Sequence, residues 1–236
     1  MNKLKTMLCA VFTLMLVNVT TAQSDSSNFA GPYVGITASG YGMQLSGESS
    51  TSPTGSTFEK DEISIGQVAP VTGLEAGYTI PVGSAFLIDI GASFYQGEAK
   101  LDYSTDAGFT AAKGDDPGDT LTAKSVTFAI DDLVNAYIAP TVVLSDTSSL
   151  YIKVGLTEAD ISVSGDITTP GNLSGTTWAM GTRTVLDSGI FIRTEAGFTE
   201  YNGISASGRG TSISASNTYS AEPTVAYGAV SFGFRF

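Results

Sequence analysis

Histidine is absent from this chain of 236 residues. Imidazole is the side chain that titrates near neutrality, so hydrolytic mechanisms that need a His as general base or proton shuttle cannot be assembled here. Cysteine occurs once, as Cys9, inside a segment expected to be removed, so the remainder has neither a disulfide framework nor a cysteine metal site. Basic residues number 11 against 23 acidic ones, a net charge of −12, which argues against nucleic acid as a partner. Charged residues are only 14% of the chain, yet beyond residue 22 no apolar run approaches the roughly 20 residues that a transmembrane helix needs. Any membrane crossing must therefore be made by strands.

The N-terminus reads as an export signal. Lys3 and Lys5 precede an apolar stretch from Met7 to Val17, and Thr20-Thr21-Ala22 offers small residues for cleavage before Gln23. Residues 1–22 are expected to be a signal peptide and residues 23–236 one barrel domain. Gly is abundant at 27 and Pro scarce at 8, while Thr, Ser, Val, Tyr and Phe dominate the periodic segments, a composition suited to many strands joined by turns.

The chain closes on YGAVSFGFRF, Tyr227 to Phe236. Val230, Phe232, Phe234 and Phe236 share one strand face, and Ala229, Ser231, Gly233 and Arg235 share the other, as expected where one face meets lipid and the other a polar lumen. Seven further alternating segments lie near residues 31–43, 71–80, 85–96, 127–144, 150–160, 176–186 and 190–201, and the last strand spans 223–236. Joins at 81–84, 145–149 and 187–189 are short and built from turn residues. The other joins are long and rich in Ser, Thr, Gly and Asp. The expected fold is all-β: an eight-stranded antiparallel transmembrane up-and-down β-barrel, with short turns and both termini on the periplasmic side.

Parity sorts each segment into two environments. One parity is apolar, as in Val34, Ile36, Leu74, Ile90, Val134, Ile138, Leu156 and Met180. The opposite parity carries Glu75, Asp89, Asn135, Lys153, Arg183, Arg193, Glu195 and Arg235 among Gly, Ser and Thr. Three acids against four bases is near balance in a strongly acidic chain, as expected for charges that pair in a confined lumen. A secreted barrel with its apolar face inward is the alternative. Tyr41, Tyr95, Trp178, Phe191, Tyr201 and Phe236, near strand ends, are expected in interfacial aromatic belts.

Gly31-Pro32-Tyr33-Val34-Gly35-Ile36 near the start, together with the closing Phe232-Gly233-Phe234-Arg235-Phe236, resembles the small outer-membrane β-barrel family of Gram-negative bacteria, which includes the OmpA barrel, opacity proteins and porin-like proteins. The resemblance covers the mature chain as architecture and is specific in sequence only at the two ends. It implies residence in the outer membrane among its lipid and lipopolysaccharide. It also implies that Phe232, Phe234 and Phe236 form the terminal-strand signal read by the barrel assembly machinery, and anchoring in lipid is the alternative role for them. Larger members of the family add a peptidoglycan-binding domain, which nothing here matches.

The expected function is an envelope-structural or porin-like barrel, monomeric and non-enzymatic, with no cofactor and at most narrow cation-preferring permeation. A carboxylate-only hydrolase built on Glu75, Asp89 and Glu195 is disfavoured, because a barrel of this size is filled by its own side chains. The lumen charges either gate a narrow pore or satisfy one another as a static plug. Acidic residues gather in the long joins. Among them Asp115, Asp116 and Asp119 form an oxygen-rich stretch that lacks the twelve-residue pattern and closing Glu of a calcium loop, so a solvated acidic loop is the plainer reading. The alternatives are a surface adhesin or phage receptor acting through these loops, and an OmpW-like channel for small apolar molecules, against which the polar inner parity argues.

Overall fold

Alternation of apolar and polar side chains across an extended backbone forces these segments to pair edge to edge, because each strand needs neighbours for its backbone N–H and C=O groups. The computed structural model describes residues 26–51, 59–97, 99–105, 124–164, 168–186, 188–207 and 218–236. Ten strands form: β1 (Gly31–Thr51), β2 (Glu59–Pro81), β3 (Phe86–Gln96), β4 (Ala99–Thr105), β5 (Lys124–Ser145), β6 (Ser148–Ser164), β7 (Leu173–Val185), β8 (Ile190–Tyr201), β9 (Ile204–Ser207) and β10 (Thr218–Arg235). A short 3-10 helix, Ser26–Phe29, precedes β1.

The sheet runs β1-β2-β3-β5-β6-β7-β8-β10 and closes by antiparallel pairing of β1 with β10, from Tyr33 opposite Arg235 to Ser50 opposite Thr218. This is an eight-stranded up-and-down antiparallel barrel. β4 pairs with β5 beyond the end of β3, and β9 pairs with β10 beyond the end of β8, so each prolongs an existing stave. Between β3 and β4 the chain passes Gly97 at φ 150°, and the facing part of β5 bulges at Asp131–Val134, with Asp132 at φ 42°. A bulge of this kind bends its strand and breaks the ladder locally.

Several strands are longer than the alternation predicts. β1 runs on to Thr51 and β2 begins at Glu59, so the expected long first loop is largely paired backbone. Apart from Leu45, Ile63 and Ile65, residues 44–51 and 59–66 are polar or glycine in sequence, with too few apolar residues to mark a strand by alternation. The short joins are tight turns: Val82 N–H donates to Phe86 O (2.9 Å), and Leu186 N–H to Ile190 O (2.8 Å).

The apolar parity faces outward. Val34, Ile36, Leu74, Tyr78, Leu156 and Phe232 are exposed on the outer wall, and Phe236 is 69% exposed. The aromatic belt is a correction. Tyr41, Tyr95, Phe191 and Tyr201 point inward and are buried, while Trp178 and Phe236 are on the outer parity. Their odd positions match Ser39, Ser93, Arg193 and Thr199, so strand parity, not nearness to a strand end, decides their direction. Residues 1–22 and Asp115, Asp116 and Asp119 lie outside the described residues.

Candidate functional site

The interior is built in three tiers. Beside the short turns, Phe29, Tyr33, Leu87, Val143, Val185 and Phe191 form an apolar floor. Above it lies a layer of charges. Toward the far end Tyr41, Met43, Val71, Tyr95, Leu133, Leu173, Tyr201 and Val225 form a second apolar tier.

Glycine makes room for this filling. Inward-facing glycines sit directly opposite inward aromatics on the next strand: Gly77 faces Tyr33, Gly91 faces Tyr137, Gly181 faces Tyr151, Gly197 faces Tyr227 and Gly233 faces Phe191. A Cβ at Gly233 would stand 2.1 Å from the Phe191 ring, and one at Gly77 would stand 2.4 Å from the Tyr33 hydroxyl. Each ring packs over the bare backbone of the facing glycine, and the phenols of Tyr33, Tyr137, Tyr151 and Tyr227 meet the charged tier. This pairing of Gly with Tyr or Phe is visible in the sequence only once the register is known.

The charged tier is a closed set of contacts. Arg193 reaches from β8 across the lumen, donating from Nη1 to Glu75 Oε2 on β2 (2.9 Å) and from Nη2 to Asp89 Oδ2 on β3 (2.9 Å). Arg183 on β7 pairs with the same Asp89 oxygen and donates to Thr79 Oγ1 (2.9 Å). Lys153 on β6 pairs with Glu195 on β8. Glu195 also accepts bonds from the hydroxyls of Tyr151 and Tyr227, each at 2.7 Å. Tyr33 Oη donates to Asp89 Oδ1 (2.6 Å) and lies 2.7 Å from Tyr137 Oη, which accepts a bond from Arg193 (3.2 Å). The guanidinium of Arg193 stacks between aromatic rings, 5.1 Å from Tyr33 and 5.2 Å from Tyr151. Three acids thus meet three bases, and all six side chains are at most 5% exposed. Such an arrangement holds only because each charge has both an opposite charge and hydrogen bonds.

Two residues of the expected network stand apart. Arg235 lies at the rim, donating to Ala30 O (3.1 Å), and pairs with none of the lumen acids among the described contacts. It falls too close to the end of β10 to reach the charged tier. Asn135 is in the lumen but outside the ion pairs: its Nδ2 donates to Thr157 Oγ1 (2.8 Å), and Thr157 continues through Thr177 to Thr199, a hydroxyl chain across four adjacent strands. The tyrosines that complete the tier carry no sequence signal of such a role beyond their inward parity.

The far tier corrects a second expectation. The inner parity reads as polar throughout in the sequence, yet Met43, Val71, Leu133, Leu173 and Val225 share it. Of these, Met43, Val71, Leu133 and Val225 line, with Tyr41, Tyr95, Gly97, Ile130, Asp131 and Tyr201, a small chamber of about 20 Å³ next to the β3–β4 break. No groups of three or more potential metal ligands occur among the described residues.

A membrane-embedded barrel with a buried ionic core is the class that this geometry defines. Residues 10–220 match the family model of the outer membrane protein β-barrel domain. The chain belongs to that family, whose setting is the outer membrane of Gram-negative bacteria. Among solved structures it is similar to the outer membrane protein OprG from Pseudomonas aeruginosa, at 9% identity over 92% of this chain and 100% of that one, with a TM-score of 0.51. It is also similar to Ail, the attachment invasion locus protein of Yersinia pestis, at 11% identity over 88% and 99% with a TM-score of 0.42. The outer membrane protease OmpT from Escherichia coli aligns at 8% identity over 86% and 97% with a TM-score of 0.46. No curated protein is significantly similar in sequence. At these identities the likeness is one of fold alone.

Proposed function

We propose that this protein is an envelope barrel whose lumen is sealed at rest, contributing wall structure and surface exposure rather than steady permeation. The observation that carries this reading is the Arg193 bridge. One guanidinium spans from β8 to Glu75 and Asp89 on the opposite staves, with Tyr33, Tyr137 and Tyr151 packed around it. A solvated ion would have to break several charge-assisted bonds to pass. Conduction, where it occurs, follows re-pairing of these groups. On this reading both termini are periplasmic, the protein is a monomer, and it carries out no catalysis. Phe232, Phe234 and Phe236 face outward toward lipid, where the assembly machinery can read them and where lipid and lipopolysaccharide surround the wall.

Planar-bilayer recording of the refolded barrel tests this, with heat-modifiable mobility on a gel as the folding control. Stable insertion without conductance steps is expected, with brief steps in an Arg183→Ala variant. Reproducible steps in the parent protein, unchanged by that substitution, would overturn the sealed reading.

A second reading rests on the apolar chamber. Its wall includes Gly97 and Asp131, at the point where the ladder between the third and fourth staves is interrupted. A small apolar molecule entering from outside would meet the charged tier as a floor and the interrupted ladder as a side exit to lipid. Uptake of a hydrocarbon probe into liposomes, raised by the barrel and lowered by Gly97→Val, distinguishes this reading from the first.

A further inference from the structure

The N-terminal 3-10 helix does not trail away from the barrel. It crosses the mouth at the end of the short turns. Ser26 N–H donates to Ser84 O (3.2 Å) and its hydroxyl to Gly83 O (2.7 Å), both in the β2–β3 turn. Asn28 Nδ2 donates to Asp146 O (3.2 Å) in the β5–β6 turn. Between these two anchors Phe29 points inward and is 0% exposed, seated among Tyr33, Leu87, Val143, Val185 and Phe191. Five staves, β1, β3, β5, β7 and β8, thus supply the seat of one aromatic ring.

The junction with the barrel is a single residue. Gly31 has φ 112°, a region that side chains other than hydrogen rarely adopt, and a Cβ there would stand 2.9 Å from Phe236 O. The chain turns at Gly31 from its path across the mouth into β1. On the barrel side of this hinge, Phe236 N–H donates to Pro32 O (3.0 Å), which fixes β1 against the end of β10. On the strap side the bonds to the barrel run from Ser26 and Asn28 to turns and from Arg235 Nη1 to Ala30 O (3.1 Å), and none belongs to a strand ladder. A segment held by one buried ring and a few polar contacts is the kind that opens locally while the ladder stays intact.

We propose that Ser26–Phe29 is a hinged plug, closing the inner half of the lumen when docked and admitting water and small ions as far as the charged tier when released. This goes beyond the sealed-lumen reading. That reading places the barrier at Arg193, whereas the plug governs access to the floor below it, so either can fail without the other. Ser149 reports on the space between them. It lies one inward position below Tyr151 on β6, opposite Val143 and Arg183, and is 1% exposed.

The chain without residues 1–22 has no thiol, so Ser149→Cys gives a single reactive probe. Its labelling by a small charged methanethiosulfonate reagent is measured in the refolded barrel with Phe29 intact, with Phe29→Leu and with Phe29→Asp. A carboxylate in the apolar seat disfavours docking by at least the lost burial of the ring, which corresponds to roughly a ten- to hundredfold faster labelling. Slow labelling with Phe or Leu and fast labelling with Asp, at unchanged heat-modifiable mobility, is the expected result. Equal rates in all three folded barrels would overturn the plug, and so would labelling of the parent at the rate of a free thiol. Phe29 lies outside the strands, so folding is expected to survive. If Phe29→Asp fails the mobility control, Gly31→Ala takes its place, since it strains the hinge and leaves the seat untouched. Faster labelling than the parent then supports the plug, and an equal rate overturns it.

Discussion

Removing Arg193 is the most informative single perturbation of the lumen. Its guanidinium holds Glu75 Oε2 and Asp89 Oδ2 at 2.9 Å each and donates to Tyr137 Oη at 3.2 Å. Methionine keeps the length and the contact with the rings of Tyr33, Tyr151 and Phe191, so Arg193→Met deletes the charge with little loss of packing. The two acids then differ. Asp89 retains Arg183 and the Tyr33 hydroxyl. Glu75 retains no hydrogen bond among the described residues, because its other oxygen, Oε1, is buried without a partner, and only the more distant charge of Lys153 still attracts it. Breaking a buried pair costs about 3–5 kcal/mol, because an uncompensated charge is left behind, and here most of that cost falls on Glu75. Urea unfolding in micelles should show a loss of that size. Adding Glu75→Gln to Arg193→Met should restore most of it. Adding Asp89→Asn instead should restore little, since that change takes from Arg183 its only carboxylate among the described residues. A single variant within about 1 kcal/mol of the parent, the range of an exposed pair, would refute the argument. So would equal recovery by the two double variants.

Four further outcomes follow from the same geometry. Gly233→Ala drives a methyl to 2.1 Å from the Phe191 ring and 2.4 Å from Val34 O, whereas Gly228→Ala on the same strand meets nothing within 4 Å. The first should lose about 1–3 kcal/mol by overpacking and the second almost none, as read by urea midpoints. Tyr33→Phe removes a hydroxyl bound to Asp89 and Tyr137 and should cost about 1.5–3 kcal/mol, the range for a bond to a charged group. The buried Tyr201 hydroxyl has no hydrogen-bond partner among the described residues, so Tyr201→Phe should be neutral or stabilising in the same assay. Because the six paired side chains are at most 5% exposed, raising salt from 0.05 to about 0.5 M should leave stability nearly unchanged, in contrast to surface pairs screened over about 10 Å at 0.1 M.

Period-two alternation by itself determined the staves, their number and which side chains share a face, and the closed barrel decided that the apolar face is the outer one. Lipid and lumen differ so strongly that a one-residue slip would invert every strand. For that reason Glu75, Asp89, Lys153, Arg183, Arg193 and Glu195 could be named together from parity alone. Parity carries no information about height along the barrel axis. The split of the inner face into an apolar floor, a charged middle and an apolar outer tier depends on strand stagger, which the sequence does not display. Stagger sets Arg235 at the rim, away from the acids, and it brings Tyr41, Tyr95 and Tyr201, turned inward by their parity, to one height around a chamber. Which acid Arg193 meets was likewise a tertiary decision, since Glu75 and Asp89 lie 118 and 104 residues away in sequence. The far ends of β1 and β2 carry few apolar residues, and β4 and β9 are too short for their alternation to mark them; pairing with a neighbour makes all of these strands. The seat of Phe29 could not be read locally at all: one ring in a short polar segment becomes a plug only when the floor residues of separate staves surround it.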